Sequence, residues 1–246
     1  MSAIDRRQLL ASTACMLLLE GASRASGTMI SGALPWAPFD GAPPAPVRPG
    51  PWQFFTYDEA VAIEAIVDRL VPADNLSAGG KEAGCAVFID RQLSGPFGDF
   101  RQLYMRPPFA KGLPQQGLQS PDVPAARYRM GLAALDAYCK QSFAGNDFAS
   151  LAADQQDRIL RDMESGDLQL PEEVDEQAWF ELLLQNTMEG FFADPIYGGN
   201  RDMASWKMLG FPGVRYDFRD HVEKHNIKYP LPPVSLMGRG DWNSAR

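Results

Sequence analysis

The sequence predicts an all-α fold: an irregular helical domain with long loops and extended proline-rich N- and C-terminal arms. Three observations lead there. Apolar residues recur at helical spacing in one stretch after another, from Ile63 to Leu209. Alternation of apolar and polar residues is nowhere sustained long enough for a sheet, and no internal repeat is present. Prolines gather at both ends, seven of them between Pro35 and Pro51, with Pro230, Pro232 and Pro233 near the C-terminus. Because proline lacks the N–H that helix and central strand require, both ends read as extended arms. The expected division is a leader over 1–26, an arm over 27–55, a helical domain over 56–225 and a second arm over 226–246.

The leader has a basic start, a short apolar stretch and then small residues. Asp5-Arg6-Arg7-Gln8-Leu9-Leu10 is similar to the twin-arginine consensus, with Arg6 and Arg7 as the export signal. The run from Ala11 to Leu19 is only mildly apolar, Arg24 follows it, and Ser23-Arg24-Ala25 offers a cleavage triplet. Cys15 within it lacks a lipid-attachment context. The expectation is a protein exported to the periplasm in folded form. The arm that follows interleaves its prolines with Trp36, Phe39, Trp52, Phe54 and Phe55. A solvated linker would not carry so many large aromatics, so the arm is expected to lie on a surface.

Thr56-Tyr57-Asp58-Glu59 is a capping box that opens the first helix, and Ile63, Ile66, Val67 and Leu70 form its apolar stripe up to Pro72. A second helix is expected from about Lys81 to Leu93, with Cys85, Phe88, Ile89 and Leu93 on one face. Residues 94–121 are rich in Gly and Pro and lack periodicity, yet include Phe97, Phe100, Tyr104 and Phe109; a loop this long is usually functional. The third helix is expected from about Pro124 to Phe143, with Tyr128, Leu132, Leu135 and Cys139 in register. A shorter one covers about Ala153 to Glu164. Asp175 caps the fifth, whose Phe180, Leu183, Leu184, Met188 and Phe191 are expected to face a core. The sixth runs from about Arg201 to Leu209 and stops before Gly210-Phe211-Pro212-Gly213.

Composition excludes several classes of function. The formal charge is −8, and without residues 1–25 it is −9, from 20 basic against 29 acidic side chains. That sign disfavours nucleic acid and anionic membranes, and no Lys/Arg cluster offsets it. Three cysteines are too few for a disulfide scaffold; Cys85 and Cys139 can be two buried thiols or one bond between the second and third helices. There is no Gly-rich dinucleotide fingerprint, no haem attachment motif, no cysteine set for an iron–sulfur cluster and no nucleophile elbow. The two histidines, His221 and His225, stand four apart and would share a helix face, but the acid between them is misplaced for a zinc-protease motif. Surface or hydrogen-bonding roles account for them without a metal. No catalytic, cofactor-binding or metal-ligating residue is assigned to the chain.

The most distinctive segment is Asp194-Pro195-Ile196-Tyr197-Gly198-Gly199-Asn200-Arg201-Asp202-Met203-Ala204-Ser205-Trp206-Lys207. Gly198-Gly199 suits a turn, Asn200 a helix cap, and Asp202 the positive end of a helix. Tyr-Gly-Gly-Asn-Arg-Asp-Met, then Trp-Lys, then Gly-Phe-Pro-Gly resembles the small-subunit family of gluconate 2-dehydrogenase. The resemblance takes in Phe54-Phe55-Thr56, Arg69-Leu70-Val71-Pro72-Ala73-Asp74, Phe88-Ile89-Asp90-Arg91-Gln92-Leu93, Gly117-Leu118-Gln119, Tyr128-Arg129 and Gln155-Gln156. The proline-rich arm fits the gluconate branch. Ala152, where a serine cap is expected, is a local departure.

The resemblance implies a three-part membrane-associated dehydrogenase. A large flavoprotein carries FAD, a multihaem cytochrome c subunit carries electrons to quinone, and the small subunit, with no cofactor of its own, supports assembly and export. Membrane association would come through those partners. Trp36, Trp52, Tyr104, Tyr197, Asn200, Arg201, Trp206 and Phe211 are the expected partner interface. The alternatives are a stand-alone periplasmic enzyme using carboxylates such as Asp194, Asp202 or Glu189, and a chaperone that releases its client after export.

Overall fold

Thr56 begins the fold, as its sequence context requires. In the computed structural model its hydroxyl accepts from the Glu59 N–H while the Glu59 carboxylate accepts from the Thr56 N–H, closing the capping box. The structure describes residues 46–48, 50–101, 103, 105–110, 112, 113, 116, 120–171, 173–215 and 217–238. Among these there are six α-helices and no strand: α1 Tyr57–Leu70, α2 Cys85–Ser94, α3 Pro124–Ser142, α4 Ala153–Ser165, α5 Glu176–Phe192 and α6 Ala204–Leu209. Three-residue 3₁₀ turns occupy Phe148–Ser150, Pro195–Tyr197, Arg201–Met203 and Arg219–His221.

Helix α5 is the central element and packs against α1, α2, α3 and α4. Its Trp179, Phe180, Leu183 and Phe191 are buried, together with Ile63, Ile66 and Val67 of α1 and Ile89 and Leu93 of α2. Two glycines set the closeness of that packing. A Cβ on Gly131 of α3 would lie 2.2 Å from the Trp179 ring, and one on Gly190 of α5 would lie 3.0 Å from Phe88. Inside the core the Tyr128 hydroxyl accepts from the Asn186 side-chain amide at 3.0 Å, satisfying two buried polar groups together.

Three expectations need correction. Helix α2 begins at Cys85, not near Lys81, because Gly84 takes a left-handed φ of 83° and Gly80 lies against α1 where a Cβ would be 2.3 Å from the Val67 carbonyl oxygen. Met188 is exposed, since α5 is apolar on more of its circumference than its neighbours cover. His221 ends a 3₁₀ turn and His225 lies beyond it, so the two share no helix; His221 packs instead on Tyr229, 4.8 Å between ring centres. The Ala152 departure is compensated in part, because the Gln155 side chain still accepts from the Ala152 N–H.

Candidate partner-docking site

The N-terminal arm is fastened by a residue whose role sequence reasoning missed. Asp90 lies in the middle of α2, where an acid ordinarily marks the solvated face, yet it is fully buried. Its carboxylate accepts from three successive backbone N–H groups of the arm, Gln53 (2.9 Å), Phe54 (2.9 Å) and Phe55 (3.0 Å), and pairs with Arg91. Arg91 reaches the Arg48 and Pro51 carbonyls in turn. From α3, Arg129 pairs with Glu59, donates to the Phe54 carbonyl and lies 4.1 Å over the Phe54 ring. The arm residues that carry no side-chain information about α2 are thus held by their amides, a pattern no motif scan detects. Trp52 is half-buried and packs edge-on against Phe55.

The Asp194–Gly213 segment is built with little freedom. Both oxygens of Asp194 are used: one accepts from the Ile196 N–H at 3.0 Å, the other from the Leu236 N–H at 2.7 Å. A Cβ on Gly199 would lie 2.1 Å from the Gly190 carbonyl oxygen, and Gly198 has φ 94°, so this turn requires its glycine pair. Asn200, Asp202 and Met203 are also left-handed, at φ 43°, 56° and 55°. Each costs on the order of 1–3 kcal/mol in a non-glycine residue, so the surroundings must hold them. They do so through Asn200, whose amide donates to the Ala193 carbonyl and whose oxygen accepts from both the N–H and the hydroxyl of Ser205. Asn200 therefore caps α6 from four residues before its first residue, rather than opening a helix at Arg201 as expected.

Of the residues expected at an interface, Asn200 and Trp206 are buried within the chain itself. Trp206 is 5% exposed; its indole N–H donates to the Phe192 carbonyl and its ring meets Phe211 edge-on at 5.1 Å. They brace the turn and can reach a partner only through it. Tyr197, 48% exposed, and Phe211, 46% exposed, stand on its surface. Arg201 is half-buried: its N–H donates to the Ala83 carbonyl and its guanidinium lies across Gly84, where a Cβ would come within 2.8 Å of its Nε. Trp36, Tyr104, Arg6 and Arg7 lie outside the described residues.

Both arms converge on this segment. The Val47 N–H donates to the Ile196 carbonyl at 3.0 Å, and Val47 also packs at Gly198. On the other side, Gly213 and Val234 form a parallel bridge in which a Cβ on Gly213 would lie 2.1 Å from the Val234 carbonyl oxygen. The Gly-Phe-Pro-Gly motif is thus the seat of the C-terminal arm.

Candidate chemistry is scarce. Asp194 is consumed by backbone donors, Glu189 accepts from Gln185, and Asp202 is exposed. Among the described residues no group of three or more His, Cys, Asp or Glu could hold a metal, and no helix is long and apolar enough to cross a membrane. Cys85 and Cys139 are separate buried thiols. Burial pushes both up to about 12, against weak opposing pulls at Cys85 from its own backbone and from Arg201.

A family model described as gluconate 2-dehydrogenase subunit 3 matches residues 57–213, well over half of the chain. The chain belongs to this family. The matched stretch runs from the first residue of α1 to the glycine that seats the C-terminal arm, so it takes in each of the six described α-helices and the whole Asp194–Gly213 segment. As a subunit 3, the chain has partner subunits in a dehydrogenase complex. No curated protein and no solved structure matches the chain.

Proposed function

We propose that this subunit is the non-catalytic small subunit of a periplasmic, membrane-associated, FAD-dependent gluconate 2-dehydrogenase complex. It supports folding, stability and twin-arginine export of the flavoprotein, which holds FAD, while a multihaem cytochrome c subunit passes electrons on. The observation that carries this is the use of the family's signature segment. Its conspicuous residues are spent on holding a rigid turn and two chain ends, and its carboxylates are occupied by backbone amides or stand apart. That is the construction of a docking surface, because rigid presentation lowers the entropy lost on association.

Co-expression tests the reading. With this chain present, the flavoprotein should accumulate as a stoichiometric complex that survives purification from the periplasm. Without it, soluble FAD-loaded flavoprotein should fall sharply. A flavoprotein that folds and is exported equally well alone overturns the reading, whereas one that needs the chain but leaves it after export is evidence for a releasing chaperone. Sugar-acid oxidation by the purified chain alone would instead make it an enzyme.

A further inference from the structure

Among the charged side chains of the described region, Arg201 stands out for what it lacks. Its backbone is locked between two left-handed residues, Asn200 and Asp202, by the bond to Ala83. Its guanidinium is held against Gly84, beside the N-terminal end of α2 and on the side where the Gly198 carbonyl also approaches, and it makes no side-chain hydrogen bond or ion pair among the described residues, Asp202 included. The other partly buried arginines are all paired: Arg69 with Asp157, Arg91 with Asp90, Arg129 with Glu59, Arg127 with the Ala178 carbonyl and Arg215 with the Pro232 carbonyl. A half-buried cation beside the positive end of a helix is unfavourable unless an anion meets it.

We propose that Arg201 is the anchor of the contact with the large subunit, its guanidinium receiving a carboxylate presented by that partner. This rests on the reading of the chain as a small subunit and adds where, and by what chemistry, the partner is held. The rest of the surface fits the role. Tyr197 and Phe211 stand exposed on the same short stretch of chain, and buried Arg and Tyr often dominate interface energy. Planar guanidinium and carboxylate pair through two parallel hydrogen bonds, which fixes orientation as well as affinity. The strain at Asn200, Asp202 and Met203 is accounted for if the turn must aim this one side chain before the partner arrives.

The test uses the complex assembled from co-expressed full-length subunits, with Kd read by dilution at several salt concentrations. Arg201→Gln keeps the backbone bond to Ala83 but removes the guanidinium over Gly84 and its charge. It should weaken the complex by roughly 30-fold or more, as expected for truncating one member of a buried charge pair. The dependence of Kd on salt should become shallower, and the thermal midpoint of the free subunit should not fall. Lys140→Gln, on α3 and paired with Asp136, should alter neither quantity. Should Arg201→Gln destabilise the free chain, Arg201→Lys, which keeps charge and stem but loses the fork, must show the weakening with a native midpoint. Wild-type Kd and salt dependence in a folded Arg201 variant overturn the proposal and leave the small-subunit reading standing. A wild-type chain that binds no large subunit overturns that reading instead.

Discussion

At the scale of single residues, polar groups that close on the chain's own backbone do most of the organising. Asp90 is the clearest instance, one carboxylate holding three amides of the arm. Replacing it by alanine should cost about 4.5 kcal/mol or more, at roughly 1.5 kcal/mol or more for each of the three lost charge-assisted bonds. Urea unfolding measures the loss, and hydrogen exchange at residues 53–55 should rise well before global unfolding. Glu59 gives a pH dependence. Burial raises its carboxyl, but the hydrogen bonds from Arg129 and Thr56 outweigh burial and leave it below the usual 4.5. A depressed folded-state value means its stabilisation is present above 4.5 and is lost as pH falls through that lower value. Glu59→Gln should therefore be less stable than wild type near neutrality, and the difference should shrink as the pH is taken below 4.5. The capping bond between Glu59 and Thr56 was legible in the sequence; the pairing of Glu59 with Arg129, seventy residues on, and the role of Asp90 were not. Asp90 reads as a surface acid because its partners lie more than thirty residues upstream and contribute only amides, which every residue has.

At the scale of elements, periodicity and caps located the helices well where the helix obeys its own local rules. The Thr56 box, the Asp175 cap, the apolar stripes of α1 and α3 and the span of α4 all appear where the sequence places them. Reading failed where tertiary contact overrides local preference. The start of α6 depends on three left-handed residues without a glycine among them, held by an asparagine that bonds forwards to Ser205 and back to Ala193. Such geometry leaves no trace in propensity, so Asn200 was legible as a cap but not as the cap of this helix. Two substitutions test the element-level account in opposite directions. Ala152→Ser supplies the missing half of the α4 capping box and should stabilise by about 1 kcal/mol. Gly131→Ala forces a methyl into the Trp179 ring at the α3–α5 crossing and should destabilise by at least 1–3 kcal/mol, the range typical of overpacking. Thermal or urea midpoints of the two variants, taken together, distinguish local capping from core packing.

At the scale of the whole molecule, the path of the chain bears on the proposed export. Val47 joins Ile196, and Leu236 joins Asp194, so the described chain begins and ends at one small segment of the family signature. A partner docked on that segment would sit beside Val47, close to the start of the described chain. That arrangement suits a carrier, in which the signal proposed for this subunit would take a bound flavoprotein through the membrane already loaded with FAD. The complex must then persist through transit, and contacts spread over a rigid turn and two fastened arms favour slow dissociation because they must release together. One signal would serve both chains, and the large subunit would need none. Changing Arg6 and Arg7 together to lysine should strand both proteins in the cytoplasm, the flavoprotein still carrying its flavin. Fractionation should then find dehydrogenase activity towards an artificial acceptor inside the cell and little outside, with the complex intact on size exclusion. Arg201→Gln should separate the pair instead, sending this subunit out while the flavoprotein stays behind. If the flavoprotein reaches the periplasm in the double-lysine variant, it has its own route, and this chain acts on stability alone.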